Sequence, residues 1–345
     1  SLHRKISAFE EKITVPEGII NVKYIKINPG KAQRVINSFR ALLLFIKENK
    51  KRKYNCVVLY NGTERSMFIA LVARLLKIKI VLEYEDAATV NRSDKGRTKL
   101  FVYKNIVFKI IVKLSDLIIS VNHDLVRNIN KKSIVIPGAL DDDIIKKGEM
   151  LKKLSLNINP IRIVYTGGLT ISKGPDLLIY AVDLLKEYNI ELHLFGDGDM
   201  RNKIAELKNQ SSLKDKIILH GYVNRAFMIE TLFNADILVN PHRINLGEGL
   251  QGTVFPFKMI EYAATGVPIL SSAVGRFSEE FDKYINYYEG ESPQSLADGI
   301  RNMLESYQTC LSKSKALQTS VVKDFSIEGL SKTFFETINK KKYDN

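Results

Sequence analysis

The feature that most constrains the fold is a repeated alternation of short apolar runs with longer amphipathic segments. Residues 56–60, 78–82 and 116–121 are predicted to be buried strands, and the segments between them carry apolar residues at helical spacing. The pattern restarts at residue 161 and continues to residue 270. Alternating strands and helices form parallel, doubly wound sheets, because each helix crosses back over the sheet before the next strand. The sequence therefore predicts an α/β protein with two Rossmann-like domains.

The domain limits follow from length and from a break in this pattern. A chain of 345 residues is long enough for two separate cores. Segment 141–160 is acidic, then basic, and ends in Asn-Pro before a strand, which is typical of a linker. The predicted domains span residues 1–150 and 151–325, and residues 326–345 are predicted to form a C-terminal helix that packs back on the first domain.

Excess positive charge is confined to the first predicted domain. Residues 1–150 contain 29 Lys and Arg against 15 Asp and Glu, whereas residues 151–345 contain 23 of each. This asymmetry predicts an anionic partner for the first domain, such as a membrane surface, a lipid diphosphate or nucleic acid. The absence of a recognised nucleic-acid motif and the spread of the charges argue against nucleic acid.

Composition argues against several other classes of protein. No apolar run reaches the roughly 18 residues of a membrane span, and the chain is expected to be cytoplasmic. Cys56 and Cys310 are far apart and are predicted to be buried thiols in a reducing compartment. The five histidines lack ligand spacing, and Asp197 and Asp199 fit a helix cap better than a metal site. No metal is therefore predicted.

Residues 254–270, which read VFPFKMIEYAATGVPIL, combine an anion-binding helix start with a carboxylate. Pro256 suits the first turn of a helix, where its missing N–H would be unpaired in any case. The amides of that turn and Lys258 attract an anion, and Glu261 lies on the same face, where it can accept two sugar hydroxyls. An ordinary helix with a solvated Lys–Glu pair explains the same spacing.

A second helix start carries similar features. The predicted strand 161–165 is followed by Gly167 and Gly168, and then by Lys173, Gly174 and Pro175. Glycines let a phosphate approach the backbone, and a lysine can reach a diphosphate as a point charge. A purely structural turn is the alternative. Because both helix starts follow strand ends at the edge where open α/β sheets bind ligands, the residues predict a site for a diphosphate and a ribose.

These stretches resemble retaining glycosyltransferases of the GT-B fold, family 4 type, also called glycosyl transferases group 1. Residues 254–270 resemble the Phe-Pro-Ser-Lys-x-x-Glu-Tyr signature of a subgroup that builds capsular and other surface polysaccharides. Gly167, Leu169, Lys173 and Gly174 match the family's Gly-x-Leu-x-x-x-Lys-Gly. The likeness covers residues 55–340 and is strongest over 161–271. It implies two Rossmann-like domains that face each other across a cleft.

The resemblance also implies a reaction and a set of site residues. A hexosyl group would pass from a nucleoside-diphosphate sugar to a saccharide or lipid-linked acceptor with retention of configuration, without a metal or cofactor. Lys173 and Lys258 would be catalytic because they stabilise the charge of the leaving diphosphate, and Asp86 or Glu85 would orient the acceptor hydroxyl. The donor-binding residues would be Gly167, Gly168, Lys173, Tyr222, Arg243, Phe257, Lys258 and Glu261. With a lipid-linked acceptor, the basic first domain predicts peripheral attachment to the inner face of the membrane.

Several departures from the family pattern leave a different function open. Phe257 replaces the subgroup's Ser, Gly168 stands where many relatives have Arg, and Thr253 stands where the wider family has a first Glu, for which Glu248 is the nearest substitute. The family's opening strand and Gly-Gly loop are not found in the first residues. These departures favour, as the alternative, a catalytically impaired protein that binds a sugar nucleotide or a polysaccharide. A third possibility, an epimerase of similar two-lobed fold, is disfavoured by the Lys-x-x-Glu spacing and the Gly-x-Pro turn.

Overall fold

The computed structural model describes residues 10–15, 18–23, 31–85, 98–121, 123–150, 156, 159–243, 256–273 and 279–339. The chain forms two compact units, Ser1–Val135 and Ile136–Asn345, and each contains a parallel sheet. The predicted α/β class with two parallel sheets is confirmed. No helix among the described residues is long and apolar enough to cross a bilayer.

The first unit contains a hairpin and a four-stranded parallel sheet of order β3-β4-β5-β6. The hairpin pairs β1 (Glu10–Val15) with β2 (Gly18–Lys23) in antiparallel register. The strands of the sheet are β3 (Cys56–Tyr60), β4 (Lys79–Tyr84), β5 (Leu117–Ser120) and β6 (Ser133–Val135). The helices are α1 (Lys31–Arg52), α2 (Glu64–Leu75), α3 (Thr98–Leu114) and α4 (His123–Val126).

The core of the first unit lies between the central strands and the helices beside them. Ile80, Leu82 and Ile118 are fully buried and pack in the same cluster as Ala70 of α2 and Ile111 of α3. Each such aliphatic side chain contributes roughly 1.5–3 kcal/mol through burial. Apolar strands covered by helices are what the alternating pattern predicts.

The second unit contains a six-stranded parallel sheet of order β12-β11-β10-β7-β8-β9. Its strands are β7 (Ile161–Thr166), β8 (Ile190–Phe195), β9 (Ile217–Gly221), β10 (Ile237–Asn240), β11 (Ile269–Ser271) and β12 (Asn286–Tyr287). Its helices are α5 (Asp142–Met150), α6 (Pro175–Asp183), α7 (Arg201–Gln210), α8 (Arg225–Asn234), α9 (Lys258–Thr265), α10 (Glu279–Asp282), α11 (Pro293–Glu305), α12 (Tyr307–Phe325) and α13 (Ile327–Asn339).

The order of the second sheet reverses between β7 and β10. The chain runs from β7 outward through β8 to β9, and then returns to place β10 on the opposite side of β7. Such a reversal leaves a crevice at the carboxyl ends of the two central strands, because the connections leave in opposite directions. Both predicted ligand-binding segments are attached to this sheet: one follows β7 and the other precedes β11.

The boundary between the two units lies after Val135, earlier in the chain than the predicted boundary at residue 150. Ile144 of the predicted linker 141–160, and Leu140 directly before it, are buried in the core of the second unit, and Leu140 N donates to Phe325 O at 2.8 Å. The sequence of this segment does not predict α5, because three aspartates and two lysines surround only two adjacent isoleucines. The predicted C-terminal helix is present as α13, whereas its packing on the first domain stays a prediction.

Candidate functional site

The candidate site lies at the carboxyl end of β7, where α9 delivers a lysine. Lys258 Nζ is 4.3 Å from the centroid of the Tyr165 ring and 5.8 Å from that of Tyr262. A Cβ atom placed on Gly167 would lie 3.6 Å from the same Nζ. The structure therefore brings Gly167 and Lys258 together, although 90 residues of sequence lie between them.

Lys258 carries a buried ammonium group with no hydrogen-bond partner among the described residues. The residue as a whole is partly exposed, but its Nζ is buried. Burial lowers the pKa of Lys258 well below its ordinary value, and the positive charge of Lys173 lowers it further. The two tyrosine rings compensate only in part for lost hydration. An anion beside Nζ would supply the missing partner.

Lys173 brings a second cation to this place from the turn that precedes α6. Burial lowers the pKa of Lys173. The turn is held close to the end of β10, because a Cβ on Gly174 would lie only 2.0 Å from Pro241 O. Gly174 also has φ of +69°, which disfavours any residue with a side chain. This glycine is therefore required for the position of Lys173.

His242, which follows β10, is a neutral member of the same cluster. Its Nδ1 lies 2.6 Å from Asn240 Oδ1, Asn240 Nδ2 donates to Ser271 Oγ at 2.9 Å, and Ser271 Oγ donates to Ser272 O at 2.8 Å. Because Asn240 Nδ2 is the donor to Ser271, Asn240 Oδ1 must be the acceptor for His242. His242 Nδ1 therefore carries the hydrogen, and Nε2 is able to accept a hydrogen bond. Burial, followed by the charges of Lys258 and Lys173, lowers the pKa of His242 to about 2.

Glu261 lies on α9 one turn beyond Lys258, and its side chain is 9% exposed. Arg225 Nη2 donates to Glu261 Oε1 at 2.8 Å and also forms an ion pair with Asp141. Arg225 is the first residue of α8, whose start is fixed by Asn224 Oδ1 accepting from Phe227 N at 2.9 Å. The predicted ribose-binding carboxylate is therefore oriented by an arginine.

Helix α9 is tied to the end of β7 and to α12. Tyr262 OH accepts a hydrogen bond from Thr166 N at 2.8 Å, directly before Gly167. At the other end of α9, Gly266 adopts φ of +70° and Gln318 Nε2 donates to Ala264 O at 2.8 Å. These contacts fix the direction of α9, so the positions of Lys258 and Glu261 are set by the fold.

Gly168 and Phe257 differ in how closely other atoms pack around them. The nearest atom to a Cβ placed on Gly168 would be 3.7 Å away, so a side chain fits there, and Gly168 O accepts from Tyr165 OH at 2.7 Å. Phe257 precedes α9, and its ring packs so closely on Gly138 that a Cβ there would lie 2.0 Å from Phe257 Cε2. The donor-binding roles of both residues stay predictions.

Arg243 and Tyr222 lie in contrasting surroundings. Both terminal nitrogens of Arg243 bond the carboxylate of Asp176 in the first turn of α6, at 2.8 and 2.6 Å. Tyr222 is 84% exposed directly after β9. His220, two residues before Tyr222, is held by stacking on Phe195, with ring centroids 4.0 Å apart. Arg243 thus already has a carboxylate partner, Tyr222 is open to a ligand, and donor binding by either one stays a prediction.

Three residues named from the sequence lie outside the described residues: Asp86, Thr253 and Glu248. Glu85 is described, and its Oε2 accepts from Tyr60 OH at 2.8 Å. The acceptor-orienting role of Asp86 or Glu85 stays a prediction. Within the described ranges, no group of three or more His, Cys, Asp or Glu could hold a metal ion.

The sequence patterns marked Lys173, Lys258 and Glu261 but gave no sign of Arg225 or His242. Arg225 lies 36 residues from Glu261 at the start of another helix, where arginine is an ordinary surface residue. His242 is a single histidine in a loop, and its neutrality depends on burial and then on the charges of Lys258 and Lys173. Only the order of the strands brings these partners together.

Solved structures of similar shape define the class of fold. A crystal structure of a glycosyltransferase from Rickettsia africae aligns over 91% of this chain and 83% of its own, with a TM-score of 0.66 and 17% identity. Anabaena Alr3699/HepE in complex with UDP aligns over 86% of this chain and 81% of its own, with a TM-score of 0.61 and 15% identity. The predicted GT-B fold is confirmed.

The chain belongs to the glycosyl transferases group 1 family, whose model matches residues 146–318, half of the chain. An uncharacterized glycosyltransferase of Methanocaldococcus jannaschii, MJ1607, is 29% identical over 150 residues, which are 42% of this chain and 36% of that protein. The O-antigen biosynthesis glycosyltransferase WclY of Escherichia coli is 26% identical over 174 residues, which are 49% and 45%. The chain thus spans less than half the length of these curated relatives.

Proposed function

We propose that this protein is a retaining, metal-independent glycosyltransferase that moves a hexosyl group from a nucleoside-diphosphate sugar to a saccharide or lipid-linked acceptor. The observation that carries the proposal is the buried Nζ of Lys258, which has no hydrogen-bond partner among the described residues. It lies beside Gly167 at the sheet edge where α/β proteins bind ligands. A diphosphate would pair with this ammonium and with Lys173.

In the proposed reaction, the bond between the anomeric carbon and the diphosphate oxygen breaks, and both electrons leave with the diphosphate. The acceptor oxygen bonds the anomeric carbon on the same face, and its proton passes to the departing diphosphate. Lys173 and Lys258 stabilise the charge that develops on the leaving group. Cations fixed in a site from which water is excluded act strongly, because they need no reorganisation during the reaction.

Glu261 supplies the second half of the donor site. Its carboxylate is one turn from Lys258 on the same face of α9, so one helix would contact both the diphosphate and the ribose attached to it. HepE, a structural neighbour, was solved with UDP, which supports a nucleoside diphosphate as the ligand class. A base would lie toward the exposed Tyr222.

The proposed acceptor and cellular location are supported by the relative WclY and by the charge of the first unit. WclY acts in O-antigen biosynthesis, which supports a role in bacterial surface polysaccharide or capsule biosynthesis. Residues 1–135 contain 27 Lys and Arg against 11 Asp and Glu, an excess of 16. A lipid-diphosphate acceptor at a membrane would be attracted by this charge. We place the protein in the cytoplasm, bound peripherally to the inner membrane face.

The experiment is calorimetric binding of UDP, GDP and ADP to the wild type, to Lys258→Met and to Glu261→Ala. One of the nucleotides should bind the wild type, and either substitution should weaken it at least tenfold, the value of one hydrogen bond to a charged group. Lys208→Met, which changes a partly exposed lysine in the last turn of α7, is the matched control and should bind normally. Equal affinity in wild type and Lys258→Met would remove the proposal.

The second candidate is a catalytically impaired binding protein, and the open space at Gly168 favours it. Where many relatives would place an arginine on the diphosphate, this chain has room for a Cβ atom but no side chain. The two candidates differ in turnover. Release of free nucleoside diphosphate from the bound sugar nucleotide, by transfer or by hydrolysis, identifies the enzyme, and tight binding without release identifies the binding protein.

A further inference from the structure

We infer that Arg225 is a positioning residue that holds the Glu261 carboxylate for the ribose of the donor. The inference rests on the proposed function and adds a residue that the family pattern does not mark. A single nitrogen, Arg225 Nη2, bonds Glu261 Oε1 at 2.8 Å and also pairs with Asp141. The guanidinium therefore joins the start of α8 to α9 and to the residue before α5.

The environment of Glu261 shows why such a partner is needed. Its side chain is 9% exposed, so an isolated carboxylate there would lose most of its hydration. The arginine replaces that hydration on one oxygen and fixes the rotation of the carboxyl group. An ionised carboxylate has about four lone-pair sites, so the remaining sites are acceptors for the two hydroxyls of a ribose.

The pair differs from the ordinary surface ion pairs of the same unit. Lys203 and Glu206 of α7 are 55% and 63% exposed, and such pairs contribute little. Arg225 instead combines a nearly buried carboxylate with the second carboxylate of Asp141, whose side chain is 52% exposed. The half-exposed Asp141 thus holds the guanidinium on its solvent side, and the guanidinium donates the hydrogen bond that orients the nearly buried Glu261.

Orientation of Glu261 should be measured as discrimination between ribose and 2′-deoxyribose. The probes are UDP, GDP and ADP with their 2′-deoxy counterparts, together with inorganic pyrophosphate, and the variants are Arg225→Gln, Arg225→Lys and Asp141→Asn. The wild type should prefer the ribonucleotide about tenfold, the value of one hydrogen bond to a charged group. In Arg225→Gln this ratio should fall to about twofold, and Arg225→Lys should restore part of it.

Pyrophosphate separates this effect from a general loss of structure. Its affinity should be the same in wild type and Arg225→Gln, because Lys173 and Lys258 remain in place. Asp141→Asn should keep most of the ribose preference, since the Arg225–Glu261 hydrogen bond persists.

The inference is overturned by an unchanged ribose preference in Arg225→Gln, and equally by pyrophosphate binding that falls together with the preference. A wild type that binds pyrophosphate and nucleotides but shows no ribose preference also overturns it, while leaving the proposed function standing. A wild type that binds none of these probes removes both.

Discussion

Burial lowers the pKa of three basic groups at the site. They are Lys173 Nζ, Lys258 Nζ and the ring of His242. Each belongs to a side chain whose pKa is lowered by burial, and two of them are lowered further by neighbouring positive charge. A fold that gathers cations without counter-charges loses stability by doing so. The loss is explained when an anionic ligand is the missing partner.

His242 makes this loss measurable as a dependence of stability on pH. Its folded pKa of about 2 lies far below its ordinary value, so the unfolded chain binds one more proton at mildly acid pH. The free energy of unfolding should therefore fall as pH falls below about 6.5, by about 1.4 kcal/mol per pH unit from this residue. In His242→Gln the loss between about pH 7 and pH 5 should be smaller by about 2 kcal/mol.

Urea unfolding at a series of pH values, with the ligand absent, makes this measurement. His220→Gln is a useful comparison, because burial, together with His193, also lowers the pKa of His220, although Glu191 opposes the shift. His242→Gln should flatten the pH profile more than His220→Gln does. Parallel profiles for wild type and His242→Gln would mean that the pKa of His242 is the same in the folded and the unfolded protein.

How much of the site could be predicted depends on whether a residue acts within its own segment. Lys258 and Glu261 lie three residues apart on one helix, so their common face was visible in the sequence. Arg225 acts across α8 and α9, and the pKa of His242 is set by burial and by Lys258 and Lys173, which come from two other segments. Contacts of that kind depend on strand order, which local patterns do not contain.

At the scale of elements, the site depends on glycines that let two segments approach. Gly174 brings the turn before α6 against the end of β10, and Gly167 leaves room beside Lys258 Nζ. Gly266 ends α9 at Gln318 of α12. The glycines are therefore part of the geometry that places the lysines.

Gly174 and Gly168 form a matched pair for testing this. Alanine at Gly174 would put its Cβ 2.0 Å from Pro241 O at a φ of +69°, whereas alanine at Gly168 meets nothing closer than 3.7 Å. We expect Gly174→Ala to lower the free energy of unfolding by about 2–4 kcal/mol and Gly168→Ala to change it by less than about 0.5 kcal/mol. Thermal or urea unfolding gives both values, and equal stabilities would contradict the assigned role of Gly174.

Prediction of elements succeeded where the period was clear and failed for short or polar helices. The predicted strand 56–60 coincides with β3, and the basic amphipathic helix α3 was visible in its spacing. The sequence of α5 favours a linker, because its two adjacent isoleucines, followed by charged residues and a glycine, show no helical period. The burial of α5 comes from tertiary packing, because Ile144 lies in the same core cluster as Met259 and Ile260 of α9 and Leu317 of α12.

For the whole molecule, the main feature is a division of charge between the two units. Residues 1–135 carry the excess of 16 positive charges, whereas residues 136–345 contain 25 Lys and Arg against 27 Asp and Glu. In the first unit, Lys53, Lys77 and Lys79 line a cavity of about 550 Å³, and Leu75, next to this cavity in sequence, is 81% exposed. Basic and apolar side chains together are typical of a membrane-binding surface.

Sedimentation with vesicles containing anionic lipid should test this surface on the full chain. Binding should weaken as salt increases, because the attraction is screened. The double variant Lys53→Glu, Lys77→Glu should bind at least about 30-fold less, because losing two lysines at about 1 kcal/mol each near the surface weakens binding by about 2 kcal/mol. Lys203→Glu in the second unit is the control and should bind as the wild type. Binding that is insensitive to salt, or no binding at low salt, would contradict the proposal.

The contact between Phe257 and Gly138 has a consequence for how this sequence can change over time. The aromatic ring occupies the space that a side chain at position 138 would need. A substitution at 138 is therefore blocked by the ring and is also disfavoured by the φ of +158°, which residues with a side chain rarely adopt. Position 138 should therefore stay glycine among descendants of this chain that keep an aromatic residue at 257.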